Sequence, residues 1–135
     1  MEGSVRGPVR TWLRVEGLAA LVLSTSLYAR GDFSWTLFAL LFFVPDVSFA
    51  GYLAGPRVGA LVYNAAHSYI GPVMVILASL ATGRTVALPL IWFAHIGFDR
   101  ALGYGLKYST GFGHTHLGRI GKRQGNAERR TANSE

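Results

Sequence analysis

The chain has 135 residues, half of them hydrophobic and only 15% charged, where globular proteins average about 25% charged. That length leaves room for one domain, and the lack of cysteine excludes disulfides, thiolate metal sites and a cysteine nucleophile. The net charge of +6 reads as the basic inner flank of a membrane protein rather than as a surface for nucleic acid.

Residues 1–10 read as a short polar tail. Arg6, Arg10 and Arg14 give a basic start, but Glu16 interrupts the apolar run that follows, and residues 26–29 offer a poor small-residue cleavage pattern. The segment is therefore expected to stay as a first membrane helix over residues 12–29. Trp12 and Tyr28 fall near its two ends, where amphipathic rings settle at the interfaces. Arg30-Gly31-Asp32 makes a turn. A second apolar run, residues 33–53, is broken only by Asp46. Pro45 predicts a kink there, because it removes a backbone donor and crowds the preceding turn. After a turn at Gly55-Pro56-Arg57, residues 58–83 hold no Asp, Glu, Lys or Arg in 26 positions, and about 20 apolar residues suffice to span a bilayer. Gly71-Pro72 predicts a bend within this third span, residues 58–82. Residues 85–104 give the fourth, with Gly103-Tyr104-Gly105 ending it. Residues 122–135 read as a disordered basic tail.

The runs are apolar all round rather than along one stripe, which argues against a soluble bundle. The chain is thus predicted to be an all-α membrane protein, a four-helix transmembrane bundle over residues 1–121. Four spans put both termini and the second loop on one side. That side carries eleven Lys and Arg residues, against Arg30 and Arg84 alone on the other. Positive residues stay inside, so both termini are expected in the cytoplasm.

Alternating helix direction brings Glu16, Asp46, Asn64, His67, His95, Asp99 and Arg100 to one depth, the cytoplasmic half. A charged group in hydrocarbon costs about 2.5–3.5 kcal/mol on insertion scales, so several at one level must pair inside the bundle or line a wet pocket. Asn64 and His67 are three apart, and His95 and Asp99 four apart, so each pair shares a helix face. The candidate site is one cavity formed by Asp46, His67, His95 and Asp99 and lined further by Glu16, Asn64 and Arg100. Arg100 lies about 100° round the helix from Asp99 and need not enter it. Two imidazoles and two carboxylates suit a divalent metal such as Zn, Fe or Mn. A water activated by that metal would serve a hydrolase or transferase acting on a lipophilic substrate.

The same residues allow two other readings. One is an ion-paired polar core in a non-enzymatic assembly partner, with Asp46 or Asp99 against Arg100, Glu16 against Arg14, and histidines donating to carbonyls. The other is a carrier for an ion or small solute. Arg57 and Lys107 fall at the inner headgroup level, where they either hold the phosphate of an anionic lipid or snorkel. His114 and His116 lie outside the membrane as surface histidines unless the Gly-rich segment folds back over the pocket. The glycines at 103–105 are not a phosphate loop, since no strand precedes them and no P-loop Lys-Ser/Thr follows.

Several blocks carry a resemblance: Val44-Pro45-Asp46, residues 51–60 (GYLAGPRVGA), Tyr63-Asn64 with His67, residues 95–100 (HIGFDR) running on to 103–108 (GYGLKY), and residues 115–118 (THLG). Together they resemble domain-of-unknown-function family 4260 over residues 12–121. The resemblance implies a small bacterial integral membrane protein with four helices, hence a place in the inner membrane, and implies no activity.

The thiol-free chain makes the topology directly testable. Single cysteines replacing Ser4 and Ser134 should react with an impermeant maleimide only from the cytoplasmic side, and one replacing Asp32 only from outside. Labelling of the Ser4 and Asp32 positions from the same side contradicts the four-span arrangement.

Overall fold

The computed structural model describes residues 5–109 and 113–120, so the tail expected at 122–135 lies outside the described residues. The chain is mostly helical: α1 (Gly7–Arg30), α2 (Trp35–Leu41), a 3₁₀ helix (Val44–Ala54), α3 (Pro56–His67), α4 (Ile70–Thr82) and α5 (Ala87–Leu102). A small antiparallel hairpin follows, β1 (His114–Thr115) with β2 (Gly118–Arg119). The first helix opens at Gly7, ahead of the expected start at Trp12. Pro8 stands in its first turn, where the missing N–H leaves no bond unmade.

The runs expected as kinked but continuous helices at 33–53 and 58–82 are instead interrupted, each four residues before a proline. A proline ring collides with the carbonyl of residue i−4. α2 ends at Leu41, four before Pro45. α3 ends at His67, and Ser68, four before Pro72, turns to an extended conformation with ψ 142°. The axes of α3 and α4 then differ by 43°. The bend expected at Gly71-Pro72 thus falls one turn earlier, at Ser68 and Tyr69.

Beyond Pro45 the backbone runs as a 3₁₀ helix for 11 residues, long for this conformation, in which side chains three apart eclipse one another. Its rows therefore have distinct surroundings. Val47 and Leu53 point outward, 70% and 94% exposed. Pro45 and Ser48 line one cavity, and Asp46 and Phe49 line another.

α5 is the central helix, with Ile91, Ala94, His95 and Ile96 at most 1% exposed. α1 lies along it at backbone contact. A Cβ added to Gly97 would sit 2.6 Å from the Leu21 nitrogen and 2.7 Å from the Gly17 oxygen, and one on Gly17 would strike the Arg100 side chain. Small residues at such crossings are how membrane helices approach closely. The end of the bundle away from the polar residues is closed by Tyr28, whose ring meets those of Phe33, Trp35 and Phe38.

At the other end Gly103 adopts a left-handed conformation with φ 93° and terminates α5. The chain then folds back over the bundle. His116 N–H donates to the Leu106 carbonyl, Tyr108 N–H to that of His114, and Val5 N–H to that of His116. Thr115 and Leu117 are wholly buried beneath this cover.

By length and composition, the stretch Trp35–Ala54 is long and apolar enough to cross a membrane, with a mean hydropathy of 1.8, and the bent pair α3–α4 makes a second candidate. Gly97→Ala should destabilise the protein by about 1–3 kcal/mol through overpacking against backbone that cannot yield. Leu53→Ala, at the most exposed of the large apolar side chains, should be near neutral. Thermal unfolding in detergent checks both.

Candidate metal centre

His67 closes α3 at the break, and the break fixes its surroundings. Ending a helix leaves its last carbonyls without partners, and α5 supplies them: Trp92 Nε1 donates to the Ala66 carbonyl at 2.6 Å and Arg100 Nη2 to that of His67 at 3.1 Å. Arg100 also favours the negative end of the α3 dipole. The His67 ring stacks on Tyr63, with centroids 3.8 Å apart and planes at 12°. Its Nδ1 donates to the Tyr63 carbonyl at 2.9 Å. That bond commits the ring proton to Nδ1 and leaves Nε2 with a free lone pair, the arrangement that ligating histidines use.

His95 lies fully buried on α5, with Phe42 and Phe43 edge-on to its ring. Its Nδ1 is buried without a partner among the described residues. Asp99 follows one turn later on the same face, and Asp46 reaches in from the first turn of the 3₁₀ helix. The four side chains meet at their tips. His67 Nε2 is 3.2 Å from His95 Nε2, 3.3 Å from Asp46 Oδ1 and 3.4 Å from Asp99 Oδ2. His95 Nε2 is 3.2 Å from Asp46 Oδ1 and 3.3 Å from Asp99 Oδ2. All four ligand atoms lie within 4.8 Å of one another.

These spacings could accommodate one metal ion. Four ligands at about 2.0 Å from one tetrahedral centre are separated by about 3.3 Å along every edge. Five of the six edges here measure 3.2–3.4 Å. The two histidines form the buried back of the cluster. Asp99 and the one-third-exposed Asp46 side chain line a cavity of about 230 Å³, with Phe49, Tyr63, Tyr104, Lys107 and Ile120.

The other residues singled out from the sequence take different places. Asn64 does not enter the cluster. Its amide bonds the backbone of Lys107 in both directions, Nδ2 to the carbonyl at 2.8 Å and Oδ1 from the N–H at 2.6 Å, which ties the folded-back segment to α3. Lys107 is 4% exposed, with its ammonium 4.8 Å from the Tyr63 ring centre. Burial pushes its pKa down to about 8, against the pull of Asp99. Arg100 turns to the end of α3 and to His116, whose Nε2 lies 2.9 Å away. Burial and that guanidinium both lower the His116 pKa. Glu16 and Arg57 are exposed and line neither the cluster nor its cavity. Arg14, expected to pair with Glu16, donates to the Ala101 carbonyl at the end of α5. Sequence reasoning missed Tyr63 and Trp92. Tyr63 stands four before His67, the spacing at which a helical carbonyl meets a side chain one turn on. Nothing near Trp92 announces its partner.

The fold and site define a class: a mostly helical protein whose interrupted apolar segments carry a buried His₂Asp₂ cluster. Within that class the chain belongs to the family described as Domain of unknown function (DUF4260), whose model matches residues 10–120. No curated protein and no solved structure matches the chain.

Proposed function

We propose that the protein is a four-span membrane protein that binds one divalent metal, zinc first among candidates, on Asp46, His67, His95 and Asp99, and uses it to hydrolyse or transfer a group on a lipophilic substrate. The observation that carries this reading is the set of five ligand-to-ligand distances at 3.2–3.4 Å. A 2+ ion would neutralise the two carboxylates, which face the same pair of buried histidines. With no sulfur ligand in the chain, the donor set is imidazole and carboxylate, which suits Zn, Fe or Mn.

The membrane setting rests on several supports. Leu40, Leu61 and Ile70 are 73%, 71% and 73% exposed on three different helices, more apolar surface than a soluble monomer leaves bare. At a rise of about 2.0 Å per residue the 3₁₀ helix spans about 22 Å. Seven α-helical residues before it add about 10 Å, which matches a hydrocarbon core of about 30 Å. In this reading α1 and α5 complete the bundle, and the basic excess of eleven to two supports cytoplasmic termini in a bacterial inner membrane.

When bound, the metal supplies a Lewis acid and lowers the pKa of a coordinated water toward about 7. The chain's own groups do the rest. His67 and His95 fix the ion from the buried side. The carboxylate edge formed by Asp46 and Asp99 faces the cavity, so a substrate approaches there. Lys107, held over Tyr63, supplies a positive charge toward an anionic or polarised oxygen.

Protein purified without chelator should carry about one equivalent of divalent metal, and His67→Ala or His95→Ala should each remove most of it. Helical circular dichroism should stay intact in both. Glu16→Gln, at an exposed site, should keep the metal. Elemental analysis decides: wild-type protein without metal, or an His67→Ala protein that keeps it, contradicts the assignment.

A further inference from the structure

Arg10 and Arg14 stand four apart near the start of α1, so their side chains leave the helix on one face. That face meets two other parts of the chain. Arg14 Nε donates to the Ala101 carbonyl at the end of α5, at 2.8 Å. Before the helix begins, Val5 N–H donates to the His116 carbonyl in the turn of the hairpin, at 2.9 Å. Arg10 lies between these two ties, and its guanidinium occupies a slot that two glycines leave open. A Cβ on Gly103 would come within 3.1 Å of Arg10 Nη2, and one on Gly118 within 3.6 Å of Arg10 Cζ. Both glycines have positive φ, 93° and 120°, which residues with a side chain resist. The same Gly103 position lies 3.9 Å from Cδ and Nε of Arg14. The two arginine side chains therefore converge where α5 ends.

The described residues leave most of these donors unspent. Arg10 Nε is shielded from solvent and has no hydrogen-bond partner among them. Arg14 commits Nε to a carbonyl and keeps both of its Nη groups. Neither guanidinium meets a carboxylate among the described residues, whose ion pairs all belong to His67 and His95. Like charges four apart on a helix repel, so the pair favours an anion between them. A guanidinium presents its N–H groups as a planar fork that matches carboxylate or phosphate. A tetrahedral phosphate can offer a separate pair of oxygens to each of two forks, and a single carboxylate with two oxygens cannot.

From this arrangement we infer that Arg10 and Arg14 form a binding site for a phosphate group. The site shares no residue with the His/Asp cluster and does not depend on the metal. In the membrane reading the phosphate belongs to an anionic phospholipid of the inner leaflet. The exposed apolar side chains of α1 begin at this level, with Val9 and Trp12 56% and 69% exposed. Tryptophan rings settle among headgroups, and basic residues there attract anionic lipid. The lipid source rests on the membrane reading, but the phosphate site itself does not. A phosphate bound there bridges α1 to the end of α5 and to the hairpin, so its binding should also raise thermal stability.

Titration calorimetry on the full chain, in a neutral detergent free of phosphate, tests the site with three probes. Dioctanoyl phosphatidylglycerol should bind saturably at about one equivalent, and Arg10→Gln and Arg14→Gln should each weaken it about tenfold or more, since each removes charge-assisted bonds. Dioctanoylglycerol, with the same tails and no phosphate, should not bind saturably. Arg84→Gln, at an exposed position after α4, should leave the affinity unchanged. Arg14→Gln also loses the Ala101 bond, so circular dichroism and a melt accompany every variant. Arg10→Gln, which breaks no hydrogen bond to a described residue, decides if Arg14→Gln does not fold. Sodium phosphate is the third probe. If it binds with the same dependence on Arg10 while the phospholipid does not, the site stands and its ligand is soluble phosphate. The inference is overturned if neither phosphate probe binds, if dioctanoylglycerol binds as well as the phospholipid, or if Arg10→Gln binds like wild type. Zinc measured on the same samples should be equal in wild type and Arg10→Gln, so failure of the phosphate site and failure of the metal reading are told apart.

Discussion

The meeting of two imidazole nitrogens with two carboxylate oxygens, each nitrogen 3.2–3.4 Å from the other and from both oxygens, is the constraint around which much of the fold can be understood. The tips come from three separate elements: the 3₁₀ helix, α3 and α5. Any one element displaced by an ångström or two would lose the common centre. Gly17 and Gly97 lock α1 to α5 at backbone contact, and Gly59 lets the Tyr52 ring rest on α3. The result is a rigid frame with the polar tips at one level.

The two prolines explain why those tips can converge. Without Pro72, α3 and α4 would form one continuous helix, and the carbonyls of Ala66 and His67 would be occupied by the helix itself. The break frees them for Trp92 and Arg100, and so pins the His67 turn to α5. Pro45 does the complementary thing. It ends α2 and starts a 3₁₀ helix whose threefold rows send Asp46 toward the cluster, Ser48 toward the cavity that Trp92 lines and Val47 outward. An α-helix would advance Asp46 and Ser48 by about 200° relative to one another rather than about 240°.

That Asp46, His67, His95 and Asp99 come together was legible in the sequence, since apolar runs of alternating direction bring these four polar groups to one level of a bundle. Their meeting at the tips fits the cost of leaving such groups unpaired in apolar surroundings. The places of Glu16, Asn64 and Arg100 were not legible, because depth says nothing of azimuth. Glu16 shares the level of the cluster but stands on an exposed face of α1, and Asn64 spends both ends of its amide on the Lys107 backbone. The folding back of residues 104–120 was visible only as a condition on the fate of His114 and His116. It depends on long-range backbone pairing, and nothing periodic in a Gly-rich stretch encodes that. Pro45 and Pro72 predicted bends, but the full break at the end of α3 goes with the long-range bonds that Trp92 and Arg100 make to its last carbonyls, which no local pattern encodes.

The proposed metal centre can be tested at the metal itself. X-ray absorption at the zinc edge of the loaded protein in detergent should show four nitrogen or oxygen ligands at about 2.0 Å, with the outer-shell scattering of two imidazole rings. His95→Ala should remove one ring's contribution or the zinc altogether. A six-coordinate, all-oxygen shell without imidazole scattering would contradict the account, because it would place the ion somewhere other than between His67 and His95.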